Sequence, residues 1–210
     1  MTEEIINKIL KILNETYPDA ATALRFSSVY ELLVAVMLSA QCTDERVNKV
    51  TAELFLNQGT PEKMLELSET ELEKIIFSCG LYHTKAKHIL SASKDIIEKF
   101  GGQVPCEFED LLSLDGVGRK TADVVYSVGF HGDAIAVDTH VQRVANRIGL
   151  ARSLNPLGTE KQLMAAIPKN LWSKAHHLLI FHGRKICSAA KPQCGICPIE
   201  KYCEKNNLKR

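Results

Sequence analysis

Apolar residues recur at helical spacing along most of the chain. Ile5, Ile6, Ile9, Leu10, Ile12 and Leu13 form one stripe, and Pro18 marks where that helix must stop. Ser28, with Glu31 three residues on, reads as a capping box ahead of Leu32-Leu33-Val34-Ala35-Val36-Met37-Leu38. That segment is apolar on every side, the pattern of a central buried helix. Thr43 is placed to cap a helix from Asp44 to Leu56, and Thr60 followed by Pro61 starts a short one with proline in its favoured first position. Ser68 and Glu71 form a second capping box, for a helix ending near Gly80. A long helix is expected from about Thr84 to Phe100, closed by Gly101-Gly102. Thr139 with Gln142, and Thr159 with Gln162, read as two more capping boxes. The longest period-2 alternation, Asp133 to Val137, is too short to found a sheet, so the expected fold class is all-α.

Composition narrows the setting. With 45% hydrophobic and 24% charged residues, the 210-residue chain has an ordinary globular composition and enough length to bury a core. The start, Met-Thr-Glu-Glu, is acidic where a signal peptide would be basic, and the apolar run from Leu32 to Ala40 is far shorter than the roughly 20 residues of a membrane span. A cytoplasmic protein is expected. The net charge of +1 conceals an asymmetry: residues 1–110 carry 11 Lys/Arg against 18 Asp/Glu, and residues 111–210 carry 15 against 7. A chain with one basic half suits a polyanionic partner.

The basic half opens with the segment from Leu111 to Gln142. Its turn, Leu114-Asp115-Gly116-Val117-Gly118, runs straight into Arg119-Lys120-Thr121. Glycines at these positions permit positive φ and leave their amides uncovered, which suits a phosphate oxygen at a helix start. Eighteen residues after Lys120 stands Asp138, in Val137-Asp138-Thr139-His140. A phosphate-holding hairpin, an amine at one helix start and a carboxylate at another make a candidate site for chemistry on DNA. Four of the seven cysteines crowd the C-terminal end as Cys187-x6-Cys194-x2-Cys197-x5-Cys203. In a cytoplasmic chain that spacing suits four thiolates around a metal centre, and both zinc and an iron–sulfur cluster accept four cysteines. Cys42, Cys79 and Cys106 are scattered and read as core packing or bystanders.

Five stretches together carry a resemblance: Leu38-Ser39-Ala40-Gln41-Cys42-Thr43-Asp44; Gly80-Leu81-Tyr82-x-x-Lys85-Ala86; the hairpin with Lys120; Val137-Asp138-Thr139-His140; and the four-cysteine spacing. In these the chain resembles the endonuclease III family of DNA glycosylases over most of its length. The resemblance implies a two-domain helix-hairpin-helix glycosylase fold with a DNA groove between the domains. A six-helix barrel would occupy residues 22–133. Residues 1–21 and 134–210 would form the domain that holds a [4Fe–4S] cluster, so the resemblance turns the metal choice to iron–sulfur. It further implies that the substrate is duplex DNA carrying oxidised pyrimidines or abasic sites, which places the protein at the nucleoid; no stretch of the sequence marks an oligomer interface, so a monomer is expected.

The same resemblance assigns roles. Lys120 would attack C1′ of the damaged nucleotide and cut the strand through a Schiff base, and Asp138 would steady the cationic sugar and move protons. Asp138 is equally placed to cap the helix that begins at Thr139. Arg119 and the positive end of the helix both oppose a second positive charge at Lys120. A base inside the stack is out of reach, so the nucleotide must be flipped out, with Leu81 as the apolar wedge and Gln41 as the polar filler. Gly116, Gly118, Arg119, His140 and Lys191 would meet DNA, with Arg184 and Lys185 close to Lys191. The tail residues Lys201, Lys205, Lys209 and Arg210 would add attraction to the polyanion. One position departs from the family pattern: the hairpin has Asp115 where proline is usual. Aspartate suits a turn, but its charge beside a phosphate opposes binding. Two other readings stay open, a monofunctional mismatch glycosylase of the same superfamily and a non-catalytic DNA-binding or redox-sensing iron–sulfur protein. Simple hydrolysis needs no lysine at 120, and simple binding needs neither Lys120 nor Asp138.

Overall fold

The computed structural model describes residues 1–206, which are helical, with no β-strand among them. The chain divides into two compact units, 23–132 and 1–22 with 133–210. It opens with α1 (Glu3–Thr16), enters the continuous unit, and returns to the first unit at Asp133. No helix among the described residues is long and apolar enough to cross a membrane.

The continuous unit holds α2 (Val29–Ser39), α3 (Asp44–Gln58), α4 (Pro61–Met64), α5 (Glu69–Ile76), α6 (Tyr82–Phe100), α7 (Phe108–Ser113) and α8 (Arg119–Val124), the last running on into a wider turn over Val125–Gly129. α2 is the buried helix that the unbroken apolar run predicts: Leu32 to Leu38 are all buried. Leu54 of α3, Leu72 and Ile76 of α5, Ile89 and Ile96 of α6 and Leu111 of α7 join Leu33, Val34, Ala35, Met37 and Leu38 of α2 in one apolar cluster. α6 starts at Tyr82, two residues before the expected Thr84, and ends as predicted at Gly101 and Gly102, both at positive φ.

The other unit packs α1 with α9 (Thr139–Ile148), α10 (Pro156–Ala166) and α11 (Trp172–Lys185). Ile6, Ile9, Leu10 and Leu13 of the α1 stripe join Val141, Val144 and Ile148 of α9 and Leu178 and Leu179 of α11 in a second cluster.

The caps correct the sequence reading in three places. Ser68 and Glu71 make the full box. Ser28 makes only half of one: its hydroxyl accepts from the Glu31 amide at 3.1 Å, while the Glu31 carboxylate accepts from the Ser27 amide. α9 is capped by Asp138, whose Oδ1 accepts from the Val141 amide at 2.7 Å, so Thr139 is already helical. α10 starts at Pro156 with Asn155 as its cap, which buries Thr159 inside the helix. Asparagine followed by proline is the stronger start, because both residues already hold the required backbone.

On α11, burial and the neighbouring His176 and Lys174 lower the His177 pKa from 6.5 to about 3. The unfolded chain therefore takes up a proton below about pH 6.5 that the folded chain refuses. Stability should fall by about 1.4 kcal/mol per pH unit from this group as pH drops from 6.5 toward 3. Urea unfolding of the native protein and of His177→Leu across that range checks this: the variant should show the shallower slope.

Candidate functional site

The turn between α7 and α8 depends on Gly116. Its φ is +72°, and a Cβ there would lie 2.5 Å from the Cβ of His88 on α6. Only glycine meets both demands. Gly118 differs from expectation: its φ is −82°, so backbone conformation does not require glycine. What its missing Cβ leaves is open space, with no atom within 4 Å of that position. The amides of Gly116 and Gly118 have no hydrogen-bond partner among the described residues. The Val117 amide closes the turn on the Leu114 carbonyl at 3.1 Å, and Gly118 caps α8. Lys120 therefore emerges exposed at the second position of α8. Arg119 lies over the Phe108 ring, 5.3 Å from its centre. The Asp115 carboxylate stands 3.9 Å from Nε2 of His88.

Two further turns in the same unit carry the expected wedge residues. Gln41 and Leu81 are both exposed and both non-glycine residues at positive φ, 53° and 60°. Each such residue costs about 1–3 kcal/mol and persists only where its surroundings hold it. Of the scattered cysteines, Cys79 is buried in the core, Cys42 packs against it and Cys106 is exposed.

In the discontinuous unit, Asp138 uses Oδ1 on its cap, and its carboxylate remains partly exposed. His140 is half-buried and pinned: Nδ1 accepts from Arg143 at 3.2 Å, and the Gly183 carbonyl takes a further hydrogen bond from the ring. Burial lowers its pKa, Asp138 opposes that shift, and Arg143 and Arg184 add to it.

Cys187, Cys194, Cys197 and Cys203 line one cavity of about 370 Å³, counting its open mouth, together with Ile148, Ile186, Pro192 and Ile199. All four cysteines border this one space. Burial pushes the Cys197 and Cys203 thiols up, and the charges of the other cysteines add to the shift. A strongly positive centre is what such a donor set requires before all four can ionise. His182, held neutral by burial with its pKa near 4, places Nε2 3.6 Å from Cys197 Sγ.

The loop between the first two cysteines is held by two arginines that the sequence reading passed over. Arg147, buried, donates to the carbonyls of Ser188 at 2.7 Å and Ala189 at 2.8 Å. Arg143 donates to those of Cys187 at 3.2 Å and Gly183 at 3.0 Å. Their signal was a cationic pair four residues apart on an amphipathic helix, which also fits a solvated face. Lys191 stays exposed on this loop, while Lys185 lies over the Tyr17 ring at 5.5 Å. Of the tail residues, Lys205 pairs with Glu200 at 2.7 Å and Lys201 lies over Tyr202, 4.9 Å from the ring centre. Lys209 and Arg210 lie outside the described residues.

Residues 34–169 match the HhH-GPD superfamily of base excision DNA repair proteins. The chain is 49% identical over 207 residues to endonuclease III of Rickettsia felis, covering 99% of this chain and 97% of that protein. It is 50% identical over 192 residues to endonuclease III of Bacillus subtilis, covering 91% and 88%. The fold matches the structure of a trapped endonuclease III–DNA covalent intermediate with a TM-score of 0.93 and 46% identity, over 98% of this chain and 97% of that one. Fold and hairpin thus define a helix-hairpin-helix DNA glycosylase. Within that class, the chain belongs to the endonuclease III family and is a bifunctional DNA glycosylase and AP lyase of base excision repair.

Arg147→Met should free the two loop carbonyls it holds. Limited proteinase K digestion checks this: cleavage between Cys187 and Cys194 should quicken several-fold, while cleavage within 23–132 stays at the native rate.

Proposed function

We propose that the enzyme removes oxidised pyrimidines of the thymine glycol type from duplex DNA, with Lys120 as the nucleophile. One observation carries this reading. An exposed amine stands directly after the hairpin, in a chain 46% identical to an enzyme trapped in covalent linkage with DNA. The uncovered amides of Gly116 and Gly118 hold a backbone phosphate, and Arg119 adds charge beside them. The damaged nucleotide leaves the stack, Leu81 wedges the gap, and Gln41 fills the place opposite the orphaned base. The deprotonated Lys120 amine attacks C1′ and the base departs. The sugar ring opens to a Schiff base, and β-elimination breaks the 3′ C–O bond. Asp138 balances the positive charge on the sugar and carries protons, with the carboxylate oxygen that its cap does not use. His140 and Lys191 add polar and electrostatic contacts to the DNA backbone.

Residues 1–22 and 133–210 form the cluster domain, and 23–132 the barrel domain, of an enzyme that works as a monomer at the nucleoid. Cys187, Cys194, Cys197 and Cys203 hold a [4Fe–4S] cluster. Four thiols around one largely apolar cavity suit a multi-iron group, and membership of the endonuclease III family favours that group over a single zinc. The cluster supplies a structural positive centre and no step of the base chemistry. Arg143 and Arg147 hold the loop around it, and Lys191 faces outward from that loop.

Two variants test the chemistry on a duplex with one thymine glycol. Lys120→Ala should abolish strand cleavage while DNA binding persists. Asp138→Asn keeps a capping side chain, so the fold should hold while base release slows by roughly 10²–10⁴-fold. Undiminished cleavage by Lys120→Ala would place the nucleophile elsewhere. For the cluster, Cys197→Ala should lose the visible iron–sulfur absorbance and unfold at lower temperature than the native protein. A colourless native protein carrying one zinc would refute the cluster assignment.

A further inference from the structure

Lys85 has no part in the mechanism above, yet its placement is unusual. It sits in the first turn of α6, four residues after Leu81, and is only 6% exposed. A positive charge there meets the positive end of its own helix. Burial holds its pKa below the usual lysine range, with Cys79 and Cys42 drawing it back up. What keeps the amine in place is the end of another helix. Nζ donates to the Leu38 carbonyl at 2.8 Å and to the Ala40 carbonyl at 2.7 Å. These carbonyls lie at the C-terminal end of α2, where backbone acceptors lack helical partners. One side chain thus ties the residue just before Gln41 to the helix that starts just after Leu81.

The two turns also touch directly. A Cβ on Gly80 would lie 3.7 Å from the Gln41 carbonyl oxygen, and the Cys42 thiol reaches that of Cys79. Gln41 and Leu81 are both non-glycine residues in left-handed backbone, on either side of this junction. Such backbone persists only where its surroundings over-determine it. Two separately mobile loops would have to be ordered each time DNA is opened, whereas a pre-formed pair moves that cost to folding.

We propose that Lys85 is a positioning residue that locks the Gln41 and Leu81 turns into one rigid wedge, so that filler and wedge enter the duplex as a unit. The proposal rests on the wedge reading of those two side chains. Its signature is coupling: filler and wedge act as one unit, so once either side chain is lost the other contributes little, and removing both does little more.

The probe is a duplex with a tetrahydrofuran abasic analogue, which resists cleavage, and 2-aminopurine opposite it. Emission at saturating enzyme reports opening, and anisotropy reports affinity. Gln41→Ala, Leu81→Ala and the double variant are compared in the native protein and in Lys85→Met. In the native protein each single variant should weaken opening, and the double should be no worse than the worse single. In Lys85→Met the two losses should multiply to within about twofold, as independent sites do, while affinity for undamaged duplex holds. Losses that multiply in the native protein would overturn the proposal, and that comparison decides alone if Lys85→Met does not fold. Opening unchanged by either single variant would instead refute the wedge reading itself, and the proposal with it.

Discussion

At Gly116 the backbone turns through φ +72°, and the place of its missing Cβ is already taken by His88. Any side chain there would meet left-handed strain and a 2.5 Å contact together. The consequence runs outward through the 23–132 unit. The tight turn lets α8 start at Arg119, which puts Lys120 in the exposed first turn of a helix and leaves two amides beside it uncovered. The α6 face that presents His88 belongs to the helix that Leu81 caps and Lys85 anchors. Hairpin and wedge turns thus share one scaffold helix, so whatever shifts α6 acts on both.

The unit of 1–22 and 133–210 solves a different problem, that of holding polar and ionisable groups in an apolar setting. Asp138 is fixed by its own cap, His140 by Arg143, and the first cysteine loop by Arg143 and Arg147. α9 supplies all of these, with Val141, Val144 and Ile148 buried on its other face. One amphipathic helix therefore sets both the candidate carboxylate and the loop between Cys187 and Cys194. Burial, with the other cysteines beside them, pushes the Cys197 and Cys203 thiols up, so a positive centre in this cavity would favour their ionisation.

How legible each feature was follows from how local its cause is. The apolar run of α2, the full box at Ser68 and the glycine stop of α6 are written in neighbouring residues, and they form as read. Register errors arose where two good caps adjoin. Asp138 and Thr139 can each cap α9, and only the fold decides for Asp138; Asn155 ahead of Pro156 outcompetes the box read at Thr159. The hairpin lysine was legible because glycine, charge and helix start sit together. Lys85, Arg143 and Arg147 were not, because their partners are carbonyls 40 or more residues away that carry no sequence signature.

The central claim, that Lys120 is the covalent nucleophile at the hairpin, is tested most directly by borohydride trapping. Native enzyme is incubated with a thymine glycol duplex and borohydride, and the cross-linked peptide is sequenced by mass spectrometry. The account predicts a reduced sugar adduct on Lys120. An adduct on another lysine, or base release with no adduct at all, would contradict it.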